Sequence, residues 1–154
     1  MRNLKIGDRA PDFTFRDQSG NSISLKDLKG KKVILYFYPR DLTPGCTAEA
    51  CNLRDNYQLL TAKGFFIIGV SADDEISHQK FSEKNALPFI LIPDKTKNII
   101  RDYGAWGEKK LYGKTYEGIL RMTYILNEEG IIEHIFSKVD TKNHTAQILK
   151  ELDY

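Results

Sequence analysis

Two unbroken apolar and aromatic runs, residues 33–38 (VILYFY) and 65–70 (FFIIGV), dominate the hydrophobic pattern of this chain. A run without polar alternation suits a strand covered on both faces, as in a parallel or mixed sheet. Between them, residues 47–62 contain no Gly or Pro and carry Ala48, Ala50, Leu53, Tyr57 and Leu60 at helical spacing. This predicts a strand, helix, strand unit. The alternation continues downstream with a helix over 74–85, a short strand over 89–92 and a short helix over 96–103. Residues 121–126 and 131–136 flank Asn127-Glu128-Glu129-Gly130, a turn-rich spacer, and predict an antiparallel hairpin. Residues 143–152 predict a closing helix. The segment 104–118 (GAWGEKKLYGKTYEG) has four glycines and weak periodicity, which predicts a long loop of the kind tied to function. Together these elements predict an α/β fold with a mixed central sheet and helices on both faces.

Composition leaves that picture intact and narrows the chemistry. No repeat, low-complexity tract or Gly/Ser linker divides the 154 residues, and 41% of them are hydrophobic. Residues 1–154 are therefore expected to pack as one domain that needs no cross-links. Lys and Arg number 23 against 21 acids, with the signs interspersed and a net charge of +2. Such a surface offers no basic face to a phosphate backbone, so no nucleic-acid partner is expected. No apolar run approaches the roughly 20 residues that span a bilayer, and residues 1–11 (MRNLKIGDRAP) lack the apolar core of a signal peptide. A cytoplasmic location without a membrane partner is expected. With no phosphate loop or dinucleotide fingerprint, no nucleotide or flavin cofactor is expected either. His78, His134 and His144 are scattered, and no Cys-x-x-Cys or paired His accompanies the two cysteines, so no metal is expected. His78 and His144 read as solvated surface and Trp106 as packing. Phe13, Phe15, Tyr36, Phe37, Tyr38, Phe65 and Phe66 read as core at strand spacing.

Candidate chemistry begins where the first apolar run ends. Residues 38–47 (YPRDLTPGCT) leave a buried strand, turn through two prolines and enter a helix around Cys46. Unpaired backbone N–H groups and the positive end of the helix dipole stabilise an anion there. Cys46 is thus expected to carry substantial thiolate, the bland alternative being a buried inert cysteine. Cys51 follows on the same predicted helix. An intact helix would hold the two Cα atoms roughly 8.6 Å apart, beyond the ~7 Å that a disulfide bridges. Pairing would require at least one turn to unwind, giving a local unfolding switch. From spacing alone, Cys51 serves equally well as a small helix-packing residue. In a reducing compartment a close cysteine pair is catalytic, redox-sensing or metal-binding.

Pro39-x-x-x-Thr43-x-x-Cys46 resembles the active-site signature of the peroxiredoxins. Thr43-Pro44-Gly45-Cys46-Thr47-x-Glu49-x-Cys51 is similar to that of their peroxiredoxin Q branch, also called bacterioferritin comigratory protein. Further segments follow the family's order: Lys5-Ile6-Gly7-Asp8-x-Ala10-Pro11-Asp12-Phe13, Ser71-Ala72-Asp73, Leu87-Pro88-Phe89, Tyr112-Gly113-Lys114 and Gly118-Ile119-x-Arg121-x-Thr123. The resemblance implies a thioredoxin-like fold and a cofactor-free thiol peroxidase that reduces hydrogen peroxide and organic hydroperoxides in antioxidant defence. It implies Cys46 as the nucleophile that becomes a sulfenic acid and Cys51 as the resolving thiol of an intramolecular disulfide. Thioredoxin or a similar dithiol would be the reductant, and the protein a monomer, with a weak dimer as the alternative.

The resemblance further implies that Thr43 and Arg121 stabilise the charges of the attack, that Pro39 shields the sulfur, and that Glu49 holds the guanidinium. Taken from the residues alone, Glu49 is explained by an acid in a helix's first turn and Arg121 by an exposed strand edge. Two other readings stay open. A thioredoxin-like disulfide reductase would favour Cys-x-x-Cys, and a redox sensor would use the same disulfide to expose or hide a surface.

Overall fold

The computed structural model describes residues 3–16 and 20–154. Strands β1 (Thr14–Arg16) and β2 (Ser22–Ser24) pair antiparallel, and a 3-10 turn (Leu25–Leu28) leads into β3 (Lys32–Phe37). Then follow α1 (Pro44–Asp55), α2 (Tyr57–Ala62), β4 (Phe65–Ser71), α3 (Glu75–Asn85), β5 (Ile90–Pro93) and α4 (Asn98–Asp102). The last elements are β6 (Trp106–Leu111), β7 (Lys114–Ile119), β8 (Met122–Leu126), β9 (Ile132–Phe136) and α5 (His144–Glu151).

Five strands form one mixed sheet in the order β5-β4-β3-β8-β9. Strands β3, β4 and β5 run parallel, β8 lies antiparallel to β3, and β9 antiparallel to β8. The central strand β3 is buried on both faces, which is why its sequence shows no alternation. Val33, Leu35 and Phe37 join one core with Ile68, Val70, Ile100 of α4 and Tyr103. Ile34 and Tyr36 join the other with Cys46, Ala50 and Leu53 of α1, Phe81 of α3 and Ile148 of α5. Helices therefore cover both faces, as the sequence pattern predicts. The β8–β9 hairpin is also present, its turn held by Asn127 Oδ1 accepting from the N–H groups of Glu129 (2.9 Å) and Ile131 (3.0 Å). Among the described residues no helix is long and apolar enough to cross a membrane.

Two local expectations are corrected. The helix predicted over 47–62 begins at Pro44 and divides at Asn56, whose φ of −109° and ψ of 15° leave the helical region. Proline suits the first helical position because it has no N–H to lose there. The Asn56 side chain donates to the Asn52 carbonyl at 2.8 Å and competes with the helical ladder. The long loop predicted over 104–118 is instead the β6–β7 hairpin, with Trp106 opposite Ile119 and Leu111 opposite Lys114. Tyr112 and Gly113, at φ 51° and 76°, form its turn, with positive φ at both central positions. Ile119 alone of its strand residues is buried, so the ribbon has no apolar alternation to read.

Candidate active site

The first turn of α1 is built where β3 hands the chain to the helix. Thr43 is the N-cap in extended conformation, Pro44 and Gly45 follow, and Cys46 stands in the first turn, 1% exposed. The residue thus stands at a helix start, where backbone N–H groups lack intrahelical partners and the dipole is positive. Arg121 arrives from the neighbouring strand: Met122, the next residue, pairs with Phe37 at the end of β3. Its guanidinium divides between two acceptors, with Nη2 donating to Cys46 Sγ at 3.3 Å and Nη1 to Glu49 Oε1 at 2.9 Å. Burial lowers the Arg121 pKa, and the charges of Cys46 and Glu49, with the hydrogen bonds to both, raise it further than burial lowers it. Gly45 permits the approach, since a Cβ there would lie 3.2 Å from Arg121 Nη2.

Glu49 lies one turn beyond Cys46 on the same face and is fully buried. Because α1 starts at Pro44, Glu49 falls outside the first turn, and the dipole explanation is replaced by the contact with Arg121. Burial pushes its pKa up to about 7 against the opposing charge and hydrogen bond of Arg121. Its Oε2 has no hydrogen-bond partner among the described residues and stands 3.6 Å from His144 Nε2. That contact is not an ion pair. The Gln147 side-chain oxygen accepts from the Asp140 N–H (2.9 Å) and lies 2.9 Å from His144 Nδ1, so Nδ1 carries the proton. Nε2 then accepts from the Thr123 hydroxyl at 2.8 Å. Burial pulls the His144 pKa down to about 4, which keeps the ring neutral.

The remaining predicted residues border this centre. The Thr43 hydroxyl donates to the Arg40 carbonyl at 2.8 Å, leaving its oxygen as an acceptor. Pro39 lines a cavity of about 520 Å³ with Lys109, Leu120, Arg121 and Met122. Lys109 Nζ donates to the Ile119 carbonyl at 2.9 Å, and burial with the Arg121 charge lowers its pKa, Cys46 opposing. Cys51 is not brought to Cys46. It is half-buried on intact α1, and its Sγ donates to Asn85 Oδ1 of α3 at 3.6 Å; both cysteines are free thiols.

Sequence reasoning missed Thr123, Lys109 and both buried histidines. His78 and His144, expected at the surface, are 4% and 0% exposed. The signal was register: His78 lies three residues before buried Phe81, and His144 four before buried Ile148, each on the inward face of its helix. Trp106 does pack, between Lys97 and Arg101 at 5.4 Å each. Asp41, Asp73 and His78 are grouped closely enough to hold a cation, but their ligand atoms bind one another and neighbouring hydroxyls.

A cysteine at a helix start, braced by a guanidinium on a mixed α/β sheet, defines a thiol-based oxidoreductase. Comparison with known proteins gives its family. The AhpC/TSA family model matches residues 6–135. The chain is 44% identical over 150 residues to a putative peroxiredoxin bcp of Coxiella burnetii, covering 97% of this chain and 99% of that one. It is 42% identical over 152 residues to peroxiredoxin Bcp of Escherichia coli, covering 99% and 97%. A solved structure described for the alkyl peroxide reduction activity of Xanthomonas campestris bacterioferritin comigratory protein matches with a TM-score of 0.84 at 32% identity, covering 92% and 90%. The chain belongs to the AhpC/TSA family, in its peroxiredoxin Q or Bcp branch. It has the thioredoxin-like fold, and its activity is thiol-dependent peroxide reduction.

Proposed function

We propose that Cys46 is the peroxidatic nucleophile and Cys51 the resolving thiol of one intramolecular cycle. The observation that carries this reading is the Arg121 guanidinium, set 3.3 Å from Cys46 Sγ and fixed from behind by Glu49 at 2.9 Å. The Cys46 thiolate attacks one oxygen of the hydroperoxide in line. The S–O bond forms as the O–O bond breaks, and the departing oxygen takes a proton to leave as water or alcohol. Cys46 is left as a sulfenic acid. Arg121 favours the anionic sulfur and donates where negative charge develops on the oxygens. Thr43, its own proton committed to the Arg40 carbonyl, offers its oxygen to the peroxide O–H. Pro39 keeps water from the sulfur.

The Cys51 thiol then displaces water from the sulfenic acid to give the Cys46–Cys51 disulfide. On intact α1 their Cα atoms stand roughly 8.6 Å apart, so the helix opens for this step. Thioredoxin or a similar dithiol restores both thiols by exchange. Substrates are hydrogen peroxide and organic hydroperoxides. The apolar side chains of Pro39, Leu120 and Met122 around the cavity suit an organic tail, and the activity described for the Xanthomonas relative supports the same class. The chain works as one domain, as a monomer in the cytoplasm, in antioxidant defence.

Trapping tests the cycle. Prereduced protein given one equivalent of hydrogen peroxide and then alkylated is expected to lose two hydrogens and to retain no alkylatable thiol. The Cys51→Ser variant is expected to stop at a sulfenic acid that a 1,3-dione probe captures on Cys46. Capture on Cys51, or two alkylatable thiols after peroxide is consumed, contradicts the assignment.

A further inference from the structure

Asp41 belongs to the loop that carries Pro39 and Thr43, yet its side chain is 1% exposed. Its Oδ1 accepts from the Tyr38 hydroxyl at 2.6 Å, and its Oδ2 from the Ser77 hydroxyl at 2.8 Å. His78 Nδ1 lies 2.7 Å from that same Oδ2. The Asp41 N–H donates to Asp73 Oδ2 at 2.8 Å, which also accepts from the Ser71 hydroxyl at 2.7 Å. On the far side of the ring, His78 Nε2 is 2.9 Å from the Ile92 carbonyl oxygen of β5. A carbonyl only accepts, so Nε2 carries a proton, and Nδ1, facing a carboxylate, carries one too. His78 is an imidazolium paired with a buried carboxylate. The groups that face it are Tyr38, Asp41, Asp73 and the Ile92 carbonyl. Burial pulls its pKa down, but the Asp41 bond and charge, the Ile92 bond and the Asp73 charge leave it raised.

This pair fastens the active-site loop to α3, and α3 also grips the far half of α1. Asn85, in its last turn, accepts from Cys51 Sγ through Oδ1 (3.6 Å) and from Arg54 Nη1 through its carbonyl (2.8 Å). Disulfide formation frees Cys51 Sγ from Asn85, so the segment that must open lies between the Asp41 loop and the Arg54–Asn85 contact. Its first helical bond, Thr47 N–H to the Thr43 carbonyl at 2.9 Å, is C-terminal to Asp41, and the bonds that hold Asp41 come from Tyr38, Asp73, Ser77 and His78, all outside α1. Leu42, next in the loop, sits at φ 64°, a left-handed conformation that a leucine holds only when its surroundings impose it.

We propose that Asp41 and His78 are positioning residues, forming the fixed N-terminal hinge on which α1 unwinds and rewinds. The pair keeps Pro39 and Thr43 in place while Cys46 leaves Arg121 for Cys51. Unwinding stops at Thr43, and after reduction α1 re-forms from a preset N-cap. The inference rests on the Cys46–Cys51 disulfide reading.

Backbone hydrogen exchange and a histidine NMR titration on the dithiol and disulfide forms of the whole protein test it, with mass identifying each form. On oxidation, amides 47–50 are expected to lose about 100-fold or more of their protection, while the Asp41 amide keeps its own within about threefold. The His78 titration is expected at the same raised position in both forms. A disulfide form with an exposed Asp41 amide, or with His78 titrating at its ordinary value, overturns the hinge alone. An oxidised form that has not lost two hydrogens overturns the resolving reading and the hinge with it. In Asp41→Asn, single-turnover peroxide attack is expected to slow about tenfold, with disulfide formation within about twofold of wild type. Unchanged attack, or equal slowing of both steps, overturns the positioning role.

Discussion

Glu49 is a buried acid with one cation to share. Arg121 occupies its Oε1 while Oε2 lies against a neutral His144, and burial pushes its pKa up to about 7. The folded protein therefore holds a proton on Glu49 that the unfolded chain releases at lower pH. The stability contributed by that proton is complete below the unfolded carboxylate pKa and is lost as pH rises through about 7. His144 acts in the opposite sense. Its folded pKa of about 4 lies below the ordinary value, so its contribution is complete above the unfolded pKa and is lost as pH falls through the folded one. Glu49→Gln keeps an acceptor for Arg121 and cannot ionise. Its Tm is expected to match wild type near pH 5 and to exceed it at pH 8 by roughly 4–8 °C, if about 2 kcal/mol is recovered. A Tm difference that does not change between those pH values contradicts this account. At this scale the residues alone pointed to Cys46, at a turn from strand to helix, while Pro39 and Thr43 entered through the family resemblance of the same short stretch. Arg121 was visible through resemblance alone, because the approach that matters is made across strands from more than 70 positions away. The bond between Thr123 and His144 joins residues 21 apart through a helix that closes late, and no local spacing encodes it.

Among the elements, the β6–β7 hairpin carries the most exposed signal. Tyr112 occupies φ 51° while 95% exposed, so it takes the strain of a left-handed turn without packing in return. Asparagine tolerates that conformation far better and precedes glycine in favoured turns of this type. Tyr112→Asn is expected to stabilise the hairpin by about 0.5–1 kcal/mol, read as slower hydrogen exchange of the ribbon between Lys109 and Tyr116, which face each other across it. Unchanged or faster exchange there contradicts it. The same exposure explains why the segment reads as a loop. Strands β3 and β4 announce themselves because each is buried on both faces, whereas a ribbon with one buried strand residue carries no period to find. The break at Asn56 was hidden for a related reason. Leu53 and Leu60 stay buried on either side of it, so the apolar spacing runs straight through.

Across the whole molecule, the site is assembled from distant parts. β3 ends at the loop that starts α1, β8 brings Arg121 across, and α5 seals Glu49 from behind. The central mixed sheet was legible from the order of its apolar runs. The closure of α5 over the site was not, because the sequence of a helix fixes its buried face without naming what lies beneath. The arrangement predicts a division of labour between two cysteines on one helix, and steady-state hydrogen peroxide consumption by the prereduced protein with a thioredoxin regenerating system tests it most directly. Wild type is expected to turn over continuously, Cys46→Ser to be inert, and Cys51→Ser to complete about one turnover and stop with this donor. Sustained turnover by Cys46→Ser, or a wild type that consumes no peroxide even in a single turnover, would contradict the account.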